Sequence, residues 1–262
     1  MTTLTRFAHR VCVIGLAFGA IGLATYTPAA SAADWSWNWA SGKKIAGSGK
    51  VQMENRAVSQ FTAISVGLPA NVELQQGSNE GISIETDDNL LALIETVVDN
   101  GTLKIRPVEK NTNFDTKTMK IVIRLKQIDE LDVGGSGTVH ADKLQSTKLR
   151  VTVAGSGAVN LSSLATDSLA LSIGGSGSFK VAGAASTVSM SIGGSGSIDG
   201  AALKVNDAKI SIGGSGKVST ATKDNLKVSI GGSGTVSYYG DPQVSKSIGG
   251  SGSVVRVGNF PS

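Results

Sequence analysis

Seven serines occupy nearly identical glycine-rich tetrapeptides, G-G-S-G six times and A-G-S-G once. A serine nucleophile on a strand-to-helix turn needs the context G-x-S-x-G, but here Thr, Ala, Ser or Lys stands where the last glycine should be. A catalytic triad would also need His140, the one histidine after residue 32, which lies among ordinary strand residues. We therefore interpret the serines as parts of a structural repeat: Ser136, Ser156, Ser176, Ser195, Ser215, Ser233 and Ser251.

Other chemical groups are equally sparse. Lys50 and Lys217 each follow a glycine, but valine comes next, where a phosphate-binding loop needs Ser or Thr. One cysteine and two histidines cannot supply a zinc-ligand set. The pair Asp87-Asp88 could meet a calcium ion, although a solvated loop is the simpler interpretation. The sequence therefore predicts no catalytic residue, no metal ligand and no cofactor-binding residue.

Two sets of residues suit binding. The three tryptophans, Trp35, Trp37 and Trp39, share one face of an extended segment because they are spaced by two. They could stack on sugar rings, insert at a membrane interface or cap an open end of the fold. The second set is a predicted row of outward hydroxyls, formed by Ser172, Ser191, Ser211, Ser229 and Ser247.

These hydroxyls would form a flat, nearly uncharged face that is rich in hydrogen-bond donors and acceptors. Such a face could lie against a polysaccharide, another protein or ordered water. The alternative is that small residues are simply what closely stacked strands tolerate. The partner is therefore unknown, with a polysaccharide or a cell-surface protein as the candidates.

The spacing of the motif indicates which elements position the serines. Successive motif serines are 20, 20, 19, 20, 18 and 18 residues apart. Apolar residues alternate with small polar ones on both sides, as in Leu169, Leu171, Ile173 and Phe179. This period of two is typical of β-strands. A strand signal about every 20 residues, with no helical pattern between, predicts an all-β solenoid with coils of about 18–20 residues.

Alternation through a motif predicts that Ile173, Gly175, Gly177 and Phe179 point inward, with Ser172, Gly174, Ser176 and Ser178 outward. Inward glycines would let the wall bend or approach a neighbouring coil, because no Cβ intervenes. The last coil departs from the pattern, with Lys246 at an apolar position, and we expect a capping or frayed end there.

The first half shows the repeat less clearly. We interpret Gly47-Ser48-Gly49-Lys50-Val51 as a degenerate motif, and Ile64 to Leu74 as one coil. Further alternating strands are expected around residues 82–84, 103–105 and 121–125. We expect a helical turn or a broad loop within 87–99, and an exposed loop over 111–118.

The amino terminus has the features of a secretory signal over residues 1–32. A basic stretch precedes the apolar run Val11 to Thr25, and Ala30-Ser31-Ala32 fits a cleavage site. Without this segment, which carries two arginines and no acid, the formal net charge falls from +4 to +2. Lysines are scattered and no second apolar span follows, so we expect neither a nucleic-acid footprint nor a transmembrane segment in the mature chain.

Four ordered motifs in the first half, followed by the G-S-G-x-V coils, resemble the bacterial family called putative auto-transporter adhesin, head GIN domain. The motifs are Phe61-x-x-Ile64-x-Val66-Gly67, Val72-x-Leu74-x-Gln76-Gly77, Asp88-Asn89-Leu90-Leu91 and Gly101-x-Leu103-x-Ile105. The resemblance implies a right-handed parallel β-helix on an exported protein, an adhesin label and no catalytic residues. It covers roughly residues 45–257.

The sequence thus predicts a signal peptide (1–32), an aromatic segment that is a possible solenoid cap (33–46) and a single β-helix domain (47–262) with regular coils from residue 131. We expect an exported, non-enzymatic module for surface or envelope interactions, located in the periplasm, on the cell surface or outside the cell. Two alternatives stay open. One is a carbohydrate-active lyase or hydrolase with acids converging from distant coils, and the other is an ordered-water or ice-binding face.

Overall fold

The computed structural model describes residues 42–261, and almost all of this part of the chain is β-strand. The first half holds nine strands and one short helix. They are β1 (Lys43–Ala46), β2 (Val51–Arg56), β3 (Ala63–Val66), β4 (Asn71–Gln76), β5 (Gly81–Asp87), α1 (Asp88–Leu91), β6 (Ile94–Asp99), β7 (Thr102–Pro107), β8 (Thr112–Asp115) and β9 (Met119–Leu125).

The second half holds ten strands, several of them long because one strand bends around a corner of the coil. They are β10 (Glu130–Gly135), β11 (Thr138–Ala141), β12 (Leu144–Gly155), β13 (Ala158–Ile173), β14 (Ser178–Ile192), β15 (Ser197–Ile212), β16 (Lys217–Ile230), β17 (Thr235–Tyr239), β18 (Gln243–Ile248) and β19 (Ser253–Gly258).

Each coil of the second half pairs in parallel with the next. Leu171 pairs with Met190, Met190 with Ile210, and Ile210 with Val228, which are steps of 19, 20 and 18 residues. Parallel strands lie about 4.8 Å apart, so equivalent residues form rows along the axis of the stack. The predicted β-solenoid with coils of 18–20 residues is confirmed.

The interior is filled by the apolar residues of the alternating pattern. Leu169, Leu171 and Ile173 are at most 2% exposed, and Phe179 on the far side of the motif is equally buried. Between them Gly177 is buried and Gly175 half-buried. Of the residues predicted to point outward, Ser172 is half-buried and the others are exposed. Alternation therefore continues through the motif as predicted.

The glycines of a motif serve different purposes. A Cβ on Gly177, the last glycine, would lie 2.6 Å from Cγ1 of Val153, so hydrogen is all that fits beneath that side chain. A Cβ on Gly175, the second glycine, would collide with the backbone of Gly155 one coil earlier. The first glycine, Gly174, has its nearest neighbour at 3.9 Å, and Ala154 occupies the equivalent place. Only the second and last positions therefore require glycine on steric grounds.

Strands of the first half extend the stack of coils beyond β10 and β11. Strand β3 pairs in parallel with β10 and β7, and β4 pairs in parallel with β11 and β9. The coil expected from Ile64 to Leu74 is therefore confirmed. Residues Asp88–Leu91 form the expected helical turn.

Two expectations for the first half were wrong, while the segment after the helical turn, Ile94–Asp99, forms β6 antiparallel to β7. The segment Gly47–Val51 is not a degenerate coil, because β2 runs antiparallel to β5 rather than stacking in parallel. Residues Thr112–Asp115 are not an exposed loop but β8, which pairs in parallel with β1. In each case backbone pairing with a neighbour outweighs a polar composition.

The last coil is open to solvent. Its strands β18 and β19 pair with β16 and β17, and within residues 42–261 no strand covers their other side. Val244 and Ile248, which continue buried rows, are 39% and 38% exposed. Lys246 pairs with the buried Val228 and thus occupies a position of the core row, as the sequence indicated. The solenoid therefore ends at an exposed edge that carries an inward lysine.

Candidate functional site

The predicted hydroxyl row is assembled by the parallel register. Ser172 pairs with Ser191, Ser191 with Ser211, Ser211 with Ser229, and Ser229 with Ser247. All five are exposed or half-buried, and none of their side chains forms a hydrogen bond within residues 42–261. Their hydroxyls are therefore free for an external partner and recur about every 4.8 Å. We call this row the hydroxyl face.

The motif serines form a second row at the neighbouring corner. The amide of Ser176 donates to the carbonyl of Gly155 at 2.9 Å, and the amide of Ser195 donates to Gly175 at 3.1 Å. All seven motif serines are exposed. Their backbone thus links consecutive coils while their side chains face solvent.

A long groove that no sequence pattern predicted lies on another side of the solenoid. It has a volume of about 970 Å³ and crosses six consecutive coils, from the segment Lys126–Asp129 to Lys223 on β16. Successive coils place one polar residue each along one wall, namely Thr147, Asp167, Ser186 and Asn206. These four residues are spaced by 20, 19 and 20, so their period was a detectable signal. Concavity was not, because it depends on how the strands bend between the corners.

Charge along the long groove is mixed. Three lysines and two aspartates line it: Lys126, Lys204, Lys223, Asp129 and Asp167. Lys126 lies 3.6 Å from Glu80, whereas the other four form no ion pair within the described residues. The four unpaired charges are therefore two of each sign, while the charge of Lys126 is compensated by Glu80.

A smaller groove of about 560 Å³ runs beside the hydroxyl face toward the open end. Asn225 donates to Asp207 at 2.6 Å within it, and Lys209 and Lys227 line its edge. One donor of this groove, the Asn225 amide, is thus already bonded to an acceptor of the same groove.

The geometry around the candidate catalytic groups is unremarkable. His140 lies 2.7 Å from Asp142 at the surface, and within residues 42–261 no serine hydroxyl contacts it. The pKa of Glu54 is lowered because Arg56 donates a hydrogen bond to it, and the pKa of Asp99 is lowered by Lys104 in the same way. Both shifts favour carboxylates at neutral pH, whereas a general acid needs a raised pKa.

The acidic pair has a structural use. The amide of Gly49 donates to Asp87 at 2.7 Å, and the hydroxyl of Thr116 donates to the other oxygen at 2.5 Å. Asp88 accepts from the Ser48 hydroxyl. These bonds hold the loop before β2 against the solenoid. In the part of the chain that the structure describes, no three potential ligand side chains cluster as a metal site.

Arg56 is a second structural group that the sequence analysis did not find. Its guanidinium donates to the carbonyls of Leu91 at 2.7 Å and Ile94 at 2.6 Å, and to the hydroxyl of Thr96 at 3.1 Å. It therefore ties β2 to the end of α1 and the start of β6.

The predicted signal segment and the tryptophans Trp35, Trp37 and Trp39 lie outside the described residues, so they stay predictions. Across residues 42–261, no helix has the length and apolar character needed to cross a bilayer.

Comparison with known proteins identifies the family. The sequence profile described as "Putative auto-transporter adhesin, head GIN domain" matches residues 60–242. The chain belongs to this family. No curated protein matches it significantly.

Solved structures share the head GIN fold. A putative adhesin from Bacteroides fragilis is 26% identical, with a TM-score of 0.78, and the match covers 81% of this chain and 100% of that one. A putative lipid binding protein from Parabacteroides distasonis is 30% identical, with a TM-score of 0.71, covering 82% and 100%. A putative adhesin from Parabacteroides merdae is 24% identical, with a TM-score of 0.66, covering 82% and 99%. The family resemblance and the fold predicted from the sequence are confirmed.

Proposed function

We propose that this protein is an exported, non-enzymatic interaction module that binds a component of the cell envelope or of a cell surface, as an adhesin does. The observation that carries the proposal is the hydroxyl face, in which five serines stand in parallel register and none has an internal hydrogen-bond partner. The names of the family and of two similar structures support the same class of function.

The hydroxyl face is regular along the solenoid axis. A row of free hydroxyls spaced by about 4.8 Å offers the same donor and acceptor pattern at each coil. A rigid scaffold keeps that pattern fixed, so binding loses little side-chain entropy. Many weak, equivalent contacts then add up over an extended partner, which suits an adhesive surface.

The proposal includes export of the protein, which the sequence of residues 1–32 supports. A basic stretch, an apolar run and a small-residue cleavage site together favour secretion. Trp35, Trp37 and Trp39 then follow closely on the new amino terminus in the sequence, and their indole rings suit a second contact region. The destination is the periplasm, the cell surface or the medium.

The test uses purified residues 33–262 mixed with envelope fractions and sedimented. We expect saturable retention of the wild-type chain. The variant Ser191→Arg/Ser229→Arg places bulk and charge on the hydroxyl face and should weaken retention. A matched control is Ser197→Arg, since Ser197 is also exposed but lies on a different row. Absence of retention on every envelope fraction would refute the proposal.

Additional arms separate the other interpretations. Retention on liposomes of extracted envelope lipid alone would instead assign the function printed for the Parabacteroides distasonis relative. Release of reducing sugar from polysaccharide would indicate the carbohydrate-active alternative. Thermal hysteresis in solution would indicate an ordered-water face.

A further inference from the structure

The long groove has the dimensions of a binding site for a chain molecule. It crosses six coils, and five steps of about 4.8 Å give a length of about 24 Å. Its long direction is the axis of the solenoid, so an occupant would meet each coil in turn.

Two rows of outward residues form its walls. The first row is Thr147, Asp167, Ser186 and Asn206, and the second is Gln145, Ala165, Ala184 and Lys204. The residues between the rows form the floor, where Ala185 is 6% exposed. Small residues in the second row keep the channel open in its middle, while polar groups line the other wall.

The polar groups are free to bind. The side chains of Asp167, Ser186, Asn206 and Lys204 make no hydrogen bond or ion pair within residues 42–261. A groove wall with so many unsatisfied donors and acceptors suits a ligand that offers hydroxyls on all sides.

The same features argue against other polymers. Three lysines against two aspartates give too little positive charge to hold a polyanion such as a nucleic acid. An extended peptide binds to sheets through an open strand edge, but the strands in the middle of this groove, β13 to β15, are paired on both sides. The polar lining gives an acyl chain little apolar surface to bury.

We propose that the long groove binds a linear, neutral or weakly charged polysaccharide that lies parallel to the solenoid axis. This inference rests on the proposed function and names the class of partner. It adds the long groove as a second contact surface, in addition to the hydroxyl face.

Three variants probe the groove. Asp167→Ala and Lys204→Ala each remove an unpaired charge, and each should raise the Kd for envelope about tenfold, as for a contact residue at the centre of an interface. Ala184→Leu should obstruct the channel and weaken binding at least as much. Matched controls outside the groove are Lys217→Ala and Ala154→Leu, both at exposed positions, and these should bind like wild type.

The deciding experiment measures retention of residues 33–262 on envelope that is untreated, oxidised with periodate or digested with protease. Periodate cleaves vicinal diols of sugars, so it should abolish retention, whereas protease should leave it intact. Loss of retention after protease would overturn the polysaccharide assignment, as would survival after periodate on a fraction whose polysaccharides carry free vicinal diols. Groove variants that bind like their controls would overturn the location.

Failure of this inference is distinguishable from failure of the proposed function. If no untreated envelope fraction retains the wild-type chain, the proposed function itself is wrong. If the wild-type chain is retained and only Ser191→Arg/Ser229→Arg reduces retention, the function stands and the groove assignment is wrong. A further readout is ligand length, because a hexasaccharide such as cellohexaose or mannohexaose that binds in a lengthwise groove should bind more tightly than its trisaccharide.

Discussion

The second glycine of a motif should be far less replaceable than the first, although the two are adjacent in the chain. In the motif at residues 213–216, a Cβ on Gly214 would lie 3.0 Å from the carbonyl carbon of Gly194 and closer still to its oxygen. That oxygen accepts a hydrogen bond from the amide of Ser215 at 3.1 Å. Both colliding atoms belong to backbone, so neither can rotate away.

The magnitude follows from two contributions. Overpacking in a close-fitting interior costs about 1–3 kcal/mol, and weakening the bond between coils adds about 0.5–1.5 kcal/mol. We therefore expect Gly214→Ala to reduce the free energy of unfolding by about 1.5–4.5 kcal/mol. For Gly213→Ala the nearest atom to the new Cβ is the carbonyl oxygen of Ile192 at 3.8 Å, which is ordinary contact. This variant should be neutral or stabilising by up to about 1 kcal/mol, because alanine restricts the unfolded chain.

The assay is urea unfolding of both variants and the wild type, followed by far-ultraviolet circular dichroism. The natural precedent is Ala154, which already occupies the first position in its own motif. The reasoning fails if Gly214→Ala and Gly213→Ala unfold at the same urea concentration.

Three further predictions concern positions outside the motifs. Arg56→Ala should lower the unfolding free energy by about 2–3 kcal/mol, because it leaves the carbonyls of Leu91 and Ile94 without their charged donor. The exposed control Arg106→Ala should lower it by less than about 1 kcal/mol in the same urea titration. Equal losses in the two variants would contradict this. Arg56 lowers the pKa of Glu54 below its ordinary value of 4.5. The contribution of Glu54 to folding stability is therefore present above pH 4.5 and is lost as pH falls through the lower, folded-state pKa. Glu54→Gln should make stability fall less steeply with pH in the acid range, and an unchanged slope would argue against the ion pair. Lys246→Val extends the apolar row at the open end of the solenoid, so this variant should self-associate in sedimentation velocity. The outward control Lys227→Val should not. A monomeric Lys246→Val variant would show that the lysine does not prevent association at the exposed edge.

The regular coils could be predicted because each carries its own evidence. The row Leu171, Met190, Ile210 and Val228 recurs at nearly constant spacing, and alternation fixes which residues face inward. Stacking then follows, since one coil cannot bury its apolar face alone.

The first half could be predicted only in part, because its pairings are not periodic. Nothing in Val51–Arg56 distinguishes an antiparallel partner from a parallel one. The strand Thr112–Asp115 is polar, and it forms because β1 is available beside it. The hydrogen bonds of Asp87 and Arg56 join segments that are distant in the sequence.

Of the two candidate binding surfaces, one could be predicted from the sequence and the other could not. The hydroxyl face could be predicted because its serines recur with the repeat. The long groove could not, because its walls come from rows whose separation is set by bends in β12 to β15. The spacing of Asp167 and Ser186 follows the repeat, but nothing in the sequence shows that their row borders a concave surface.

The central claim is that this solenoid binds a partner at the cell envelope through its side surfaces. The most direct measurement is a binding isotherm of labelled residues 33–262 on envelope, with and without excess unlabelled chain. We predict saturable binding that unlabelled wild type displaces and that an unlabelled Ala184→Leu variant displaces poorly. Binding that is absent, or that rises linearly without displacement, would contradict the claim.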